Sequence, residues 1–142
     1  MKKIINGKLY NTDTAEKVGL WSNGRSTRDF RCVYETLYRK KTGEHFLHGE
    51  GGAMTTYAEN VGDMRGWGER IYPMTYDEAR SWAENKLDAD EYESIFGEVA
   101  EDDSITDFNC RIPASSVEKL KRAASKAGKT QVQLLIEWID TL

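Results

Sequence analysis

The sequence predicts an α+β protein: a small N-terminal domain of β-hairpins and short helices, then a C-terminal β-α-α unit. Three observations lead there. The first third holds an Asn-Gly pair and a run of alternating aromatic and β-branched residues, both hairpin signals. Two capping boxes place helices between residues 75 and 97. Near the end, a short alternating stretch runs into a proline and then into two helical periods.

The elements follow in order. In "KKIINGKLYN", Asn6-Gly7 separates Ile4-Ile5 from Leu9-Tyr10. A type I′ turn needs positive φ at both central positions, which Asn and Gly tolerate best. In "NTDTAEKVGLW", Asp13 and Glu16 have capping-box spacing, so a short helix is expected there, with Gly19 as its stop. "SNGRSTRD" is turn chemistry. "FRCVYETLYRKKTGEHFLHG" predicts a second hairpin: Val33, Glu35, Leu37 and Arg39 alternate with Cys32, Tyr34, Thr36 and Tyr38, and Thr42-Gly43 makes the turn. The glycine-rich 49–73 reads as loop or irregular hairpin. Thr75 with Glu78, and Asp88 with Glu91, then open two helices. Ala79, Trp82 and Ala83 share a face of the first, and Gly97 stops the second.

Composition narrows the function classes. The chain has 142 residues, 39% of them hydrophobic and 31% charged, with a formal net charge of −4. Residues 1–103 carry 14 basic and 20 acidic side chains, a balance of −6, whereas 104–142 carry 6 and 4, a balance of +2. The acidic "GEVAEDDSIT" lies between, so the expected division is a domain over 1–97, a linker over 98–104 and a second domain over 105–142. No apolar run approaches a membrane span. The opening "MKKIINGKLY" has no long apolar core or small-residue cleavage site, so no secretory signal is expected. With two cysteines that make no disulfide framework, a cytoplasmic location is expected.

The N-terminal domain offers little catalytic chemistry. His45 and His48 are the only histidines. At i and i+3 on a strand they face opposite ways, so they are not expected to share a metal. Glu44, His45, His48 and Glu50 would be the acid–base set of a nuclease, but four polar residues beside a glycine-rich turn arise easily without that role. "HGEGG" lacks the strand and helix context of a phosphate loop and reads as a tight turn. No enzymatic activity, metal or cofactor is expected.

The C-terminal stretch "ITDFNCRIPASSVEKL" is more specific. Phe108, Cys110 and Ile112 alternate with Asp107, Asn109 and Arg111, then Pro113 opens a helix with Val117 and Leu120 on its apolar side. Gly128 ends that helix. Lys129 and Thr130 turn the chain, and Thr130 caps a second helix in which Leu135, Ile136 and Ile139 lie together, with Leu134 and Trp138 beside them. One strand followed by two helices leaves its backbone unpaired and too little surface buried to stand alone. Two intertwined copies solve both problems: the strands pair as a ribbon and the helices share a core.

This order of strand, proline, basic helix, glycine turn and apolar helix resembles the ribbon–helix–helix family of Arc- and MetJ-type repressors, over about 105–142. The resemblance implies a homodimer on double-stranded DNA, its ribbon in the major groove. By position, Asp107, Asn109 and Arg111 would read bases, and Lys129, Thr130 and Gln131 at the second helix N-terminus would hold a phosphate. Phe108, Cys110, Ile112, Val117, Leu120, Leu135, Ile136 and Ile139 would form the dimer core. Asp107 departs from a comfortable choice, because phosphates repel an acid, although it can accept from a cytosine amine.

The stretches "KKIINGKLYNTDTAEKVG", "ETLYRKKTGEHFLHGEGGAMTTYAE" and "DADEYESIFGE" resemble small domains from mobile elements of Gram-positive bacteria, a group that includes anti-CRISPR proteins. That resemblance implies binding to a Cas protein or its guide-RNA complex, and supplies no functional residues. Together the two parts suggest a mobile-element protein that inhibits a Cas effector complex and represses its own operon. The alternatives are the repressor of a toxin–antitoxin operon and a small nuclease. Antitoxins usually place the DNA module first, and here it comes last.

Overall fold

A computed structural model of the chain describes residues 1–142, which form two compact units, Met1–Glu101 and Asp102–Leu142. The architecture is mixed α+β, with antiparallel sheets first and four helices after them. No helix is long and apolar enough to cross a membrane.

The first unit opens with a hairpin of β1 (Lys2–Ile5) and β2 (Lys8–Asn11). Ile5 lies opposite Lys8, so only Asn6 and Gly7 make the turn, with φ of 50° and 75°. This is the two-residue turn the Asn-Gly pair predicts. A four-stranded antiparallel sheet follows, in the order β3 (Glu16–Ser22), β4 (Val33–Arg39), β5 (His45–Gly51) and β8 (Gly68–Met74). Strands β6 (Glu59–Val61) and β7 (Met64–Gly66) form a separate small hairpin. Helices α1 (Tyr76–Lys86) and α2 (Ala89–Phe96) close the unit. Thr75 and Glu78 cap α1 reciprocally, Asp88 and Glu91 cap α2, and Gly97 ends it, as the sequence predicts.

Alternation gives the sheet two apolar faces. On one, Leu37 and Leu47 pack against Ala79, Trp82, Ala83 and Tyr92 from the helices. On the other, Tyr38, Phe46 and Ile71 pack against Tyr10 from the first hairpin. The sheet is thus a middle layer, covered by helices on one side and by a hairpin on part of the other.

Two expectations for the first unit do not hold. The helix expected from Asp13 is absent. Asn11 closes a turn instead, its side chain accepting from the Asp13 N–H and its carbonyl from the Ala15 N–H, and the chain enters β3. Gly19 is not a helix stop: it sits in the strand, where a Cβ would lie 3.0 Å from Leu87 and 3.2 Å from Trp82. A bulge between Lys17 and Gly19 accompanies this close approach. The second concerns 49–73. "HGEGG" is not a turn, since its first four residues complete β5, and a Cβ on Gly49 would overlap the Tyr57 ring. Residues 68–74 form a full strand, with Pro73 tolerated because β8 is a sheet edge.

In the second unit, α3 (Ala114–Ala127) begins directly after Pro113, and α4 (Gln131–Asp140) begins after Thr130. Gly128 takes the left-handed conformation between them, with φ 67°. Thr130 and Gln133 form a capping box. Residues 105–112, predicted as a strand, form none in the single chain. A strand needs a ladder partner, and this stretch has none.

Candidate nucleic-acid interface and sheet-face cluster

The residues expected to read bases lie on an open segment. Asp107, Asn109 and Arg111 are exposed, and so are Phe108, Cys110 and Ile112 between them. In a single chain these six do not divide into a buried and a polar side. The helices show the same imbalance. Ala124 and Leu134 are the buried side chains of this unit, Val117 and Leu120 are half-buried, and Leu135, Ile136, Trp138 and Ile139 are exposed. The core role expected of Leu135, Ile136 and Ile139 is therefore not filled within one copy. Leu134 takes the inward position on α4, one residue earlier than those expected to lead it.

The start of α4 is held together locally. The Thr130 hydroxyl accepts from the Gln133 N–H at 3.1 Å, and the Gln133 side chain accepts from the Thr130 N–H at 3.0 Å. Lys129 donates to both carboxylate oxygens of Glu137 at 2.6 Å. A phosphate there would compete with Glu137 for Lys129. The remaining first-turn N–H groups, starting at Gln131, have no partner inside the helix, and that turn carries no acidic residue.

In the first unit, the four polar residues that would serve a nuclease are split up. Glu44 sits at the β4–β5 turn between Lys8 and Lys40, which hold its carboxyl below the usual range. His45 is buried on the helix side beside Phe96 and Tyr76, with ring centroids 5.7 and 6.2 Å away. Burial, with a smaller contribution from Arg39, lowers its pKa and favours the neutral ring. Its Nε2 is buried without a hydrogen-bond partner. His48 and Glu50 lie on the opposite face, as strand alternation requires.

There His48 meets a residue the sequence did not single out. Glu69 on β8 pairs directly with Glu50 on β5, and its Oε2 lies 2.7 Å from His48 Nε2. One donor atom each from His48, Glu50 and Glu69 fall within 4.8 Å of one another. Alternation along "GERIYPM" was the available signal for Glu69, but glycine and proline in that stretch obscured the strand.

A second polar group stands on the helix side. Tyr57 donates to one oxygen of Glu35 at 2.8 Å, and the Trp82 indole donates to the other at 2.7 Å. Burial, then the bond to Glu35, pushes the Tyr57 hydroxyl pKa far up, so it stays a donor. Both carboxylate oxygens are engaged, so this trio ties the Tyr57 loop and α1 to β4. It is a structural tie.

A scan against protein-family models finds no match, and searches of curated proteins and of solved structures find no similar chain.

Proposed function

We propose that this protein is a DNA-binding homodimer, built through a ribbon–helix–helix at 105–142, that represses its own operon. One observation carries this reading. The second unit leaves Phe108 and Ile112 exposed on a segment with no strand partner, and Leu135, Ile136, Trp138 and Ile139 exposed on α4. A second copy would pair that segment antiparallel with its own and cover the apolar residues of both. Pairing would also sort the segment, turning Phe108, Cys110 and Ile112 inward and leaving Asp107, Asn109 and Arg111 outward.

Such a ribbon fits the major groove. There Arg111 donates twice to guanine O6 and N7, Asn109 bonds adenine, and Asp107 accepts from a cytosine amine. The α4 N-terminus supplies N–H groups and the positive end of a helix dipole to a phosphate. The N-terminal unit binds a macromolecular target. Its resemblance to anti-CRISPR domains makes a Cas effector complex the target to test, by pull-down of the full chain from a Cas-expressing lysate.

The DNA reading is tested by gel-shift titration against the upstream region of its own gene, at two salt concentrations. Arg111→Ala is expected to spare dimerisation and weaken specific binding by about 1–3 kcal/mol for each lost base contact, twice per dimer. Lys129→Ala is expected to weaken all sequences alike and flatten the salt dependence, because phosphate contacts carry no sequence information. If Arg111→Ala binds as tightly as the parent, the base-reading role is wrong.

A further inference from the structure

We propose that His48, Glu50 and Glu69 form a binding site for one divalent transition-metal ion of the zinc class, on the hairpin-side face of the sheet. Backbone register places the three donors. His48 and Glu50 are two apart on β5 and so share a face, and Glu69 on β8 is the direct cross-strand partner of Glu50. Two carboxylates directly opposite each other on neighbouring strands repel. Glu50 joins none of the ion pairs of the fold, and the His48 imidazole partners only Glu69. Two acids thus face each other with one imidazole beside them, an arrangement that a divalent cation completes.

The geometry and donor types fit such an ion. The donor atoms lie within 4.8 Å of one another. Ligands about 2.0–2.1 Å from a tetrahedral zinc are roughly 3.3 Å apart. The Glu69 and Glu50 side chains must therefore close on the ion, while the 2.7 Å contact of His48 with Glu69 opens slightly. These are side-chain rotations on a fixed strand pair. An imidazole with two carboxylates suits zinc, cobalt or manganese better than magnesium or calcium, which prefer oxygen alone. The His48 ring is mostly buried and so held in place, whereas the Glu69 side chain is 45% exposed and leaves an entry path. Three protein ligands leave a coordination position open to water or to a group on a partner.

The test uses the full chain. Titration with Co²⁺, followed by visible absorption, is expected to show about one equivalent bound through nitrogen and oxygen. The strong thiolate charge-transfer band that ligation by Cys110 would add should be absent. Zn²⁺ is expected to displace the cobalt and to raise the thermal midpoint. His48→Gln and Glu69→Gln are expected to lower affinity by about tenfold or more. Glu50→Gln supplies the arm that folding failure cannot mimic: without metal it should be at least as stable as the parent, because the like-charge pair is gone, yet it should bind the ion more weakly. No saturable Co²⁺ binding, binding through thiolate, or binding that survives His48→Gln would overturn the proposal.

Discussion

Phe46→Ala is expected to cost the N-terminal unit about 3–5 kcal/mol, a large share of the stability of a small domain. The ring is fully buried. It stacks on Tyr38 with centroids 5.1 Å apart and meets Tyr10 edge-on at 5.5 Å. Aromatic pairs in these arrangements add to the value of the buried area. Tyr10 comes from β2 and Tyr38 from the sheet, so Phe46 lies in the cluster that joins the first hairpin to the middle layer, with Ile71 and Ile5 beside it. Its removal should leave a cavity between layers that neither side can easily fill. Urea unfolding followed by near-ultraviolet circular dichroism measures the loss. Phe30→Ala is the control: that ring is exposed, and its removal should change stability by no more than about 0.5 kcal/mol. A loss under about 1 kcal/mol for Phe46→Ala would mean that the hairpin does not cover the sheet as described.

Elements specified by neighbouring residues were legible in the sequence. Asn6-Gly7, the Thr75–Glu78 and Asp88–Glu91 boxes, Gly97, and the Thr130 cap each work through contacts within four residues, so local reading finds them. The failures have a common cause. Asp13 and Glu16 have the spacing of a cap, but Gly19 lies in a strand under the close approach of Trp82 and Leu87, which arrive from far along the chain. That long-range packing outweighs a weak local helix preference. Strand β8 was hidden for a related reason: Gly68 and Pro73 look like loop residues until the edge position is known. Period-two alternation correctly put His45 and His48 on opposite faces. It could not supply Glu69, whose place beside His48 depends on the β5–β8 register. Residues 105–112 are a different case. Their alternation is plain in the sequence, but a pairing partner for them is missing from the single chain.

Phe108→Ala is therefore the substitution that bears most directly on the proposed dimer. Within one chain its ring is 85% exposed and supports nothing. In the paired ribbon it would be buried twice, once from each copy. Truncating it should cost about 3–5 kcal/mol per ring if burial there is complete. Since 1.4 kcal/mol is about tenfold in a dissociation constant, even one ring should weaken the dimer more than about a hundredfold. Light scattering at micromolar concentration is expected to give the mass of a dimer for the parent and a lower, concentration-dependent mass for Phe108→Ala. The near-ultraviolet signal of the N-terminal unit should stay unchanged, because Phe46 and its neighbours are untouched. DNA binding should be lost together with the dimer, unlike Arg111→Ala, which should lose DNA and keep the dimer. The two variants thus separate assembly from readout. A parent that is monomeric at micromolar concentration, or a Phe108→Ala variant that dimerises as tightly as the parent, would remove the ribbon from the interface. In the second case copies would meet through exposed α4 residues such as Leu135, Ile136, Trp138 and Ile139, and in either case Asn109 and Arg111 would have no scaffold to present them to a groove.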